Sequence, residues 1–225
     1  MPASSTFNPQ VILSRLTIDR LRSYLEDCDD DLDLALDLYA WNAQIAAAFL
    51  KDLGRLEVVL RNRFDEALTA SDGLPHHWYD HRTIFPGRGS KHILKVIANA
   101  KGRAARHGQP HPPQSCVIAE LGFGFWRFLC AERYLTSLWS PALANQFPHH
   151  PSPANAVQIR ADVDSRMGRL HFLRNRVAHH KPIHRRALAD DAATILELIQ
   201  WMCADTHPWM AGISRVPAVL ASRPA

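Results

Sequence analysis

The chain has 225 residues, of which 47% are hydrophobic and 21% charged, and its formal net charge is +4. These are the values of an ordinary globular protein, which excludes bulk disorder and allows one sizeable core. The cysteines form no zinc-binding pattern, and no apolar run is long enough to span a membrane. We therefore expect a cytoplasmic domain at 17–207, with an N-terminal extension at 1–16, a C-terminal appendage at 208–225, and neither metal nor cofactor.

Hydrophobic periodicity predicts helices along most of the chain. Acidic residues around position 31 suit the N-terminus of a long helix, and Gly54 should kink that helix mildly or not at all. We find no sustained alternation of apolar and polar residues, the pattern typical of strands. The predicted helical segments are 17–25, 31–51, 53–68, 90–106, 115–138, 154–180 and 185–204. The predicted fold class is all-α, a bundle of long antiparallel helices with extra peripheral helices.

The segment 170–180 contains the strongest candidate site. Asn175 and His179 are four residues apart and share a helix face, and Arg174 precedes them within reach of its long side chain. An arginine, a carboxamide and an imidazole can together hold a phosphate and move protons, which suggests RNA cleavage without a metal. Pro182 should end the helix soon after the motif, so the histidines are expected at a helix C-terminus.

The spacing of Arg174 and His179 is by itself a weak signal. The same Arg-x4-His separation occurs at Arg106 and His111, where prolines interrupt any helix, and again at Arg166 and His171. One alternative therefore stays open at this point. The arginine and the histidine can simply be satisfied by neighbouring carboxylates at a structural helix end.

Four segments of the chain together carry a more specific pattern. They read LYAWN at 38–42, LEVVLRN at 56–62, ELGFGFW at 120–126 and RNRVAHHKPI at 174–183. This combination resembles the bacterial Abi-like (abortive infection) proteins of the HEPN superfamily, over about residues 17–209. The resemblance implies an α-helical bundle and, in many members, a dimer whose two Arg-x4-6-His segments meet at the interface. Many such proteins are metal-independent endoribonucleases that act as toxins or in phage defence.

The resemblance assigns roles to the motif residues. Arg174 and His179 match the family's Arg and His, and Asn175 matches the polar residue after the Arg. His179 is expected to act as base toward the ribose 2′-OH or as acid toward the leaving 5′-oxygen, while Arg174 holds the phosphate. One imidazole cannot do both at once, so a second His179 from a homodimer, or His180 as a helper, is expected. Lys181 stands where many relatives carry an acid, which changes the charge beside His179.

Two further groups of residues enter the prediction. Glu57, Arg61 and Asn62 lie close together on one helix; a structural ion pair is the favoured interpretation, and helpers in the same cleft are the alternative. Residues 81–119 contain no Asp or Glu, which suits a phosphate backbone, unless neighbouring segments supply the counter-charges. The residues predicted to bind RNA are Arg88, Lys91, Lys95, Arg103, Arg106 and Arg176.

Three hypotheses about function follow from the sequence. The first is an endoribonuclease with RNA as substrate, a homodimer as the active form and an antitoxin protein as a further partner. The second is a non-catalytic RNA-binding or protein-binding helical module, in which the motif contacts phosphate or supports a dimer. The third treats the motif as a structural helix end. For the aromatic pair Trp78 and Tyr79, a plug that closes the bundle is favoured over a platform for base stacking.

Overall fold

The computed structural model describes residues 7–72, 77–81, 84–85, 90–105 and 112–224. All regular elements within these ranges are helical, which confirms the predicted all-α class. The α-helices are α1 (Pro9–Leu16), α2 (Ile18–Glu26), α3 (Leu32–Asp72), α4 (Ser90–Ala105), α5 (Gln114–Ala119), α6 (Phe123–Leu129), α7 (Ala156–Ala178), α8 (Leu188–Met202), α9 (Thr206–Ile213) and α10 (Val216–Ala221). None of the helices in the described ranges combines the length and the apolar character that crossing a membrane requires.

Contacts along the chain define two compact units. Unit 1 comprises residues 1–51, 173–192 and 214–225, and unit 2 comprises residues 52–172 and 193–213. Helices α3, α7 and α8 each contribute residues to both units. The candidate motif at the end of α7 belongs entirely to unit 1. The domain boundaries inferred from the sequence stay predictions.

The segments predicted at 31–51 and 53–68 form the single helix α3. Asp31 caps its N-terminus: its Oδ1 accepts a hydrogen bond from the N–H of Leu34 at 3.1 Å, and its carbonyl accepts from Ala35 at 2.9 Å. Gly54 is exposed, and its cost of about 1 kcal/mol in helix propensity does not interrupt the helix. Apolar residues are buried along the whole length, at Leu36, Leu38, Trp41, Ile45, Phe49, Leu53, Leu56, Leu60, Phe64 and Leu68.

Unit 1 also contains two helices that periodicity did not predict. Helix α1 lies in the predicted N-terminal extension, and α10 lies in the predicted C-terminal appendage. The indole Nε1 of Trp41 donates to the carbonyl of Val219 at 2.7 Å, and Val216 is fully buried. Short helices of this length show too few turns for a clear hydrophobic period, so the contacts of α10 with unit 1 are visible only in the structure.

The core of unit 2 is rich in aromatic side chains. Trp78 and Tyr79 are 1% and 2% exposed, and the indole Nε1 of Trp78 donates to Oδ1 of Asp65 at 2.7 Å. Phe64 makes edge contacts with Trp126, Trp139 and Phe147, at centroid distances of 6.4, 5.8 and 6.1 Å. The prediction of an aromatic plug is therefore confirmed. Both rings are buried, which favours packing in the core over stacking of Trp78 or Tyr79 on a nucleic-acid base.

The helical stretch predicted over 115–138, in which Gly122 and Gly124 allow a bend, is not one continuous helix. Helices α5 and α6 are separate, and a 3₁₀ turn and a π turn follow them. Gly122 begins α6 in an extended conformation, with φ −79° and ψ 172°. Buried indoles bond to backbone carbonyls at the breaks: Trp126 donates to Leu121 at 2.9 Å, and Trp139 donates to the carbonyl of the last residue of α6 at 2.8 Å. These bonds, which span five and ten residues, satisfy carbonyls that a continuous helix would have satisfied through its backbone.

Candidate active site at the end of α7

The last turn of α7 presents the predicted motif with a buried side and an accessible side. Leu173 and Val177 are 0% and 5% exposed and anchor the turn in unit 1. Arg174 and Asn175 are half-buried, and Nη1 of Arg174 lies 3.5 Å from Oδ1 of Asn175. The backbone N–H of His179 donates to the carbonyl of Asn175 at 3.1 Å, and the His179 side chain is exposed. The arginine and the carboxamide are therefore in contact, one turn before an accessible imidazole.

A left-handed cap ends α7 directly after the motif. His180 has φ 53°, and its N–H donates to the carbonyl of Val177 at 3.0 Å. The N–H of Lys181 donates to the carbonyl of Arg176 at 2.8 Å. These two bonds form the Schellman motif, whose left-handed position is usually glycine. The predicted placement of both histidines at a helix C-terminus is confirmed, although the helix ends two residues earlier than expected.

The side chain of Arg176 holds the segment that follows the cap. Its Nε donates to the carbonyl of Pro182 at 2.9 Å, and its Nη2 contacts the same oxygen. The guanidinium thus binds the chain six residues ahead of its own position. Its predicted contact with RNA stays a prediction, but the structure gives Arg176 a role in positioning the turn that carries the histidines.

Asn42 of α3 holds the same turn from the other side. Its Oδ1 accepts from the backbone N–H groups of Ile183 at 2.8 Å and His184 at 3.1 Å, and the residue is 5% exposed. The sequence places Asn42 inside a run of apolar core positions, where a carboxamide is unusual. A carboxamide among apolar core positions was therefore a sign in the sequence that Asn42 has a structural role. Only the structure identifies the two N–H groups that Asn42 satisfies.

Arg20 of α2 adds a contact that the sequence does not predict. Its Nη2 donates to the carbonyl of His180, and its guanidinium lies 5.6 Å from the ring centroid of Tyr39. The two residues joined by this bond are far apart in the chain, and neither the spacing nor the pattern around Arg20 marks it. The carbonyl of the left-handed residue is thereby satisfied, and a second cation lies beside the motif.

A polar cluster with a buried half, Tyr24 and His184, and an exposed half, Asp27 and Arg185, lies behind the turn. The ring of His184 stacks on Tyr24 at a centroid distance of 4.4 Å, and its Nε2 lies 3.1 Å from Oδ2 of Asp27. Burial lowers the pKa of His184 and raises the pKa of Tyr24 to about 12. Arg185 donates to Asp27 from Nε at 2.9 Å and holds the pKa of that carboxyl below its usual range. At neutral pH the cluster therefore contains a neutral imidazole and a neutral phenol beside an ion pair.

A cleft of about 290 Å³ lies beside the cap, within unit 1. Its lining includes the two residues that follow His179, but not Arg174, Asn175 or His179 itself. The complete lining is Arg20, Tyr39, Asn42, Ala43, Ala46, Ala47, Leu50, Val177, His180 and Lys181. The cleft is thus mainly apolar along α3 and basic at the end of α7.

The predicted helpers on α3 belong to unit 2. Asn62 is exposed, whereas Glu57 and Arg61 are half-buried. The Nε of Arg61 is buried without a hydrogen-bond partner among the described residues. The ion pair and the helper role of these residues both stay predictions.

The acid-free stretch at 81–119, here called the basic sector, is only partly available to a ligand. Arg103 donates from Nε to Oε2 of Glu120 and from Nη2 to its carbonyl, both at 2.6 Å. Lys101 contacts the carboxylate of Asp80. Lys91 and Lys95 are exposed on α4. For Lys101 and Arg103 the counter-charges come from neighbouring segments, as the alternative expected. The predicted contacts Arg88 and Arg106 lie outside the described residues.

Neither a metal site nor a relative supplies a further clue to the chemistry. In the ranges that the structure describes, no three His, Cys, Asp or Glu side chains are grouped to hold a metal ion. Comparison of the chain with models of protein families, with curated proteins and with solved structures gave no match.

Proposed function

We propose that this chain is a metal-independent endoribonuclease of the HEPN type, acting as a toxin or phage-defence effector. The observation that carries the proposal is the last turn of α7, where Arg174 contacts Asn175 and His179 is exposed one turn further on. The resemblance of the segment 174–183 to Abi-like proteins supports the same reading. The long helix α3 and the all-α fold agree with a bundle of that superfamily.

The chemistry follows from the three side chains. Arg174 binds the scissile phosphate through paired N–H donors and stabilises the charge that develops on its oxygens. His179 removes the proton from the ribose 2′-OH, and the 2′-oxygen forms a bond to phosphorus as the bond to the 5′-oxygen breaks. Asn175 orients the guanidinium. The products are a 2′,3′-cyclic phosphate and a free 5′-hydroxyl, and no metal takes part.

A second imidazole must protonate the leaving 5′-oxygen. We assign it to His179 of a second copy in a homodimer, because an exposed imidazole at a helix end is accessible to a partner and to RNA at the same time. His180 is the intramolecular alternative. Its left-handed backbone points to a capping role, since a non-glycine residue there carries a conformational cost.

The test is a cleavage assay on single-stranded RNA with purified protein in excess chelator, from about pH 5 to pH 8. The wild-type chain is expected to release fragments with 2′,3′-cyclic phosphate ends. His179→Ala should lower the rate by roughly 10²- to 10⁴-fold. Because the His179 side chain is exposed, the melting temperature should stay unchanged.

The matched control is His180→Gly, which replaces the neighbouring imidazole by the residue that suits a left-handed cap. It should keep cleavage if the second proton comes from a partner copy. Loss of cleavage in His180→Gly under saturating RNA would assign the helper role to His180, whereas a loss that saturating RNA restores would reflect weaker binding in the cleft. RNA that stays intact at every pH would contradict the nuclease proposal itself.

One observation favours a second candidate, a non-catalytic RNA-binding module. The cleft beside the cap is lined by His180 and Lys181 and not by the three proposed catalytic residues. In that case, RNA would bind to the wild type and to His179→Ala with equal affinity and would be recovered uncut from both. Filter binding alongside the cleavage assay distinguishes the two functions.

A further inference from the structure

We infer that the cleft beside the cap is a nucleotide-binding subsite, which takes the base and the phosphate of one nucleotide. As part of an RNA-cleaving site it rests on the function proposed above, but its affinity for a nucleotide is a separate and directly measurable property. All ten residues that line it belong to unit 1, and none of them is one of the three residues to which catalysis is assigned.

The helix α3 gives the cleft an apolar surface suited to a flat ring. Ala43, Ala46 and Ala47 line it with side chains of a single carbon, and Tyr39 and Leu50 extend the same face of the helix in both directions. Short side chains on one helix face leave a shallow, even surface. The volume of about 290 Å³ lies just below the range of about 300–1,000 Å³ for ligand pockets, so the cleft suits a ligand no larger than one nucleotide.

The lining residues from α2 and from the end of α7 supply positive charge. Arg20 and Lys181 contribute a guanidinium and an ammonium group, and His180 adds an imidazole. None of the described residues that line the cleft is a carboxylate. An anionic group is therefore favoured here, and the bond from Arg20 to the carbonyl of His180 fixes the guanidinium before a ligand arrives.

Asn42 contributes a polar group at a buried position. Its Oδ1 is used by the N–H groups of Ile183 and His184, so the amide nitrogen is its remaining donor for a ligand in the cleft. At 5% exposure this side chain is almost completely held by the protein. An apolar surface, one fixed amide donor and two cations together match a ligand with a planar ring, hydrogen-bond acceptors and a phosphate, which is a nucleotide.

The experiment measures the affinity of the full chain for the four nucleoside 5′-monophosphates, which contain no bond that a nuclease of this type cleaves. Isothermal titration calorimetry compares the wild type with Ala47→Leu, which fills the cleft. Loss of base stacking should weaken binding by roughly 5- to 150-fold. The matched control is Ala40→Leu, because Ala40 is exposed on the same helix but does not line the cleft. It should change the affinity less than about twofold.

Two parallel titrations separate the parts of the ligand. Inorganic phosphate and an uncharged nucleoside should each bind more weakly than the monophosphate, and Lys181→Ala should reduce the affinity for the monophosphate but not for the nucleoside. Equal binding of monophosphates by Ala47→Leu and Ala40→Leu would overturn the inference, and so would the absence of binding to the wild type.

Sedimentation of the same variants tests the competing occupant, a second copy of the chain. If Ala47→Leu dissociates a dimer and leaves nucleotide affinity unchanged, the cleft is a subunit interface and the inference is wrong. The two proposals also fail separately. Nucleotide binding that depends on Ala47 without any RNA cleavage would retain the subsite and reject the nuclease, whereas cleavage without nucleotide binding would do the reverse.

Discussion

The end of α7 and the basic helix α4 are both rich in cations, but they use them differently. Around the cap of α7, Arg20 and Arg176 donate to backbone carbonyls and thereby fix a turn. On α4, Lys101 and Arg103 pair with carboxylates of neighbouring segments. The first arrangement builds a defined geometry around an exposed imidazole, whereas the second neutralises charge.

This difference teaches that a count of basic residues does not identify the cations that can bind a ligand. In each region, some arginine or lysine side chains already bond to other groups of the protein. Those with a side chain that is exposed, or directed toward a functional group, are the better candidates for phosphate contacts. In α4 these are Lys91 and Lys95; at the end of α7 they are Arg174 and the exposed Lys181, and Arg20 keeps the N–H donors that its bond to His180 does not use.

Among the changes that test this difference between the two basic regions, Arg174→Ala has the largest expected effect. Removing the proposed phosphate donor should lower RNA cleavage by about 10²- to 10³-fold, because it stabilises charge in the transition state. Arg103→Ala is the matched control, since that guanidinium is already paired with Glu120, and it should leave the rate nearly unchanged. Initial rates under saturating RNA measure both. Equal losses in the two variants would remove the distinction between the two basic regions.

The next effect concerns stability rather than activity. Asn42→Ala removes the acceptor of two buried N–H groups and should lower the free energy of unfolding by about 1–3 kcal/mol. Asn42→Asp keeps an acceptor oxygen in the same place and should cost less. Urea denaturation followed by circular dichroism gives both values. A loss of the same size in both variants would show that the amide group, and not the accepting oxygen, stabilises the turn.

The exposed lysines of α4 should affect RNA affinity and its salt dependence. Each phosphate contact on single-stranded RNA contributes about 0.7 to the slope of log K against log salt concentration, so replacing Lys91 and Lys95 together by alanine should reduce the slope by about 1.4. Lys101→Ala should change it less, since Lys101 contacts Asp80. Fluorescence anisotropy with His179→Ala, at several salt concentrations, measures the slopes. An unchanged slope in the double variant would exclude α4 from RNA binding.

Much of the fold could be predicted from the sequence because apolar residues recur with the helical period along each long amphipathic helix. The helix α3, the cap by Asp31 and the end of α7 near Pro182 all follow from local rules. The break between α5 and α6 lies at Gly122, where a glycine allows a bend, but the helical period does not report the indole bonds from Trp126 and Trp139 that stabilise the interrupted helix.

The chemistry of the candidate site could be predicted from the sequence, but the contacts that hold its turn in place could not. The residue types and spacing around Arg174 and His179 suggested phosphate chemistry. The contacts from Arg20 and Asn42 join segments far apart in the chain, so no local pattern could reveal them. The counter-charges of Lys101 and Arg103 could not be predicted from the basic sector either, because their partners lie just outside the acid-free stretch.

The smallest expected effect is a pH dependence of stability that comes from His184. Burial lowers its pKa in the folded protein below the ordinary value of 6.5, which the unfolded chain retains. Below pH 6.5 the unfolded state therefore binds the proton first. The stability that the neutral imidazole contributes is complete above that pH, falls as the pH decreases, and stops changing once the folded pKa is passed.

His184→Gln should remove this contribution. The difference in unfolding free energy between the wild type and the variant is expected to shrink as the solution is acidified from about pH 7.5 to about pH 5.5. Asp27, whose pKa is lowered by Arg185, contributes stability above its ordinary pKa of 3.8 and loses it only at lower pH, outside this window. A difference that stays constant on acidification would mean that folding does not shift the pKa of His184, and a difference that grows would mean that the folded protein holds His184 as the charged partner of Asp27. The turn that follows the motif would then be held by an ion pair, like the ion pairs of Lys101 and Arg103 on α4. The difference between the two regions would be smaller.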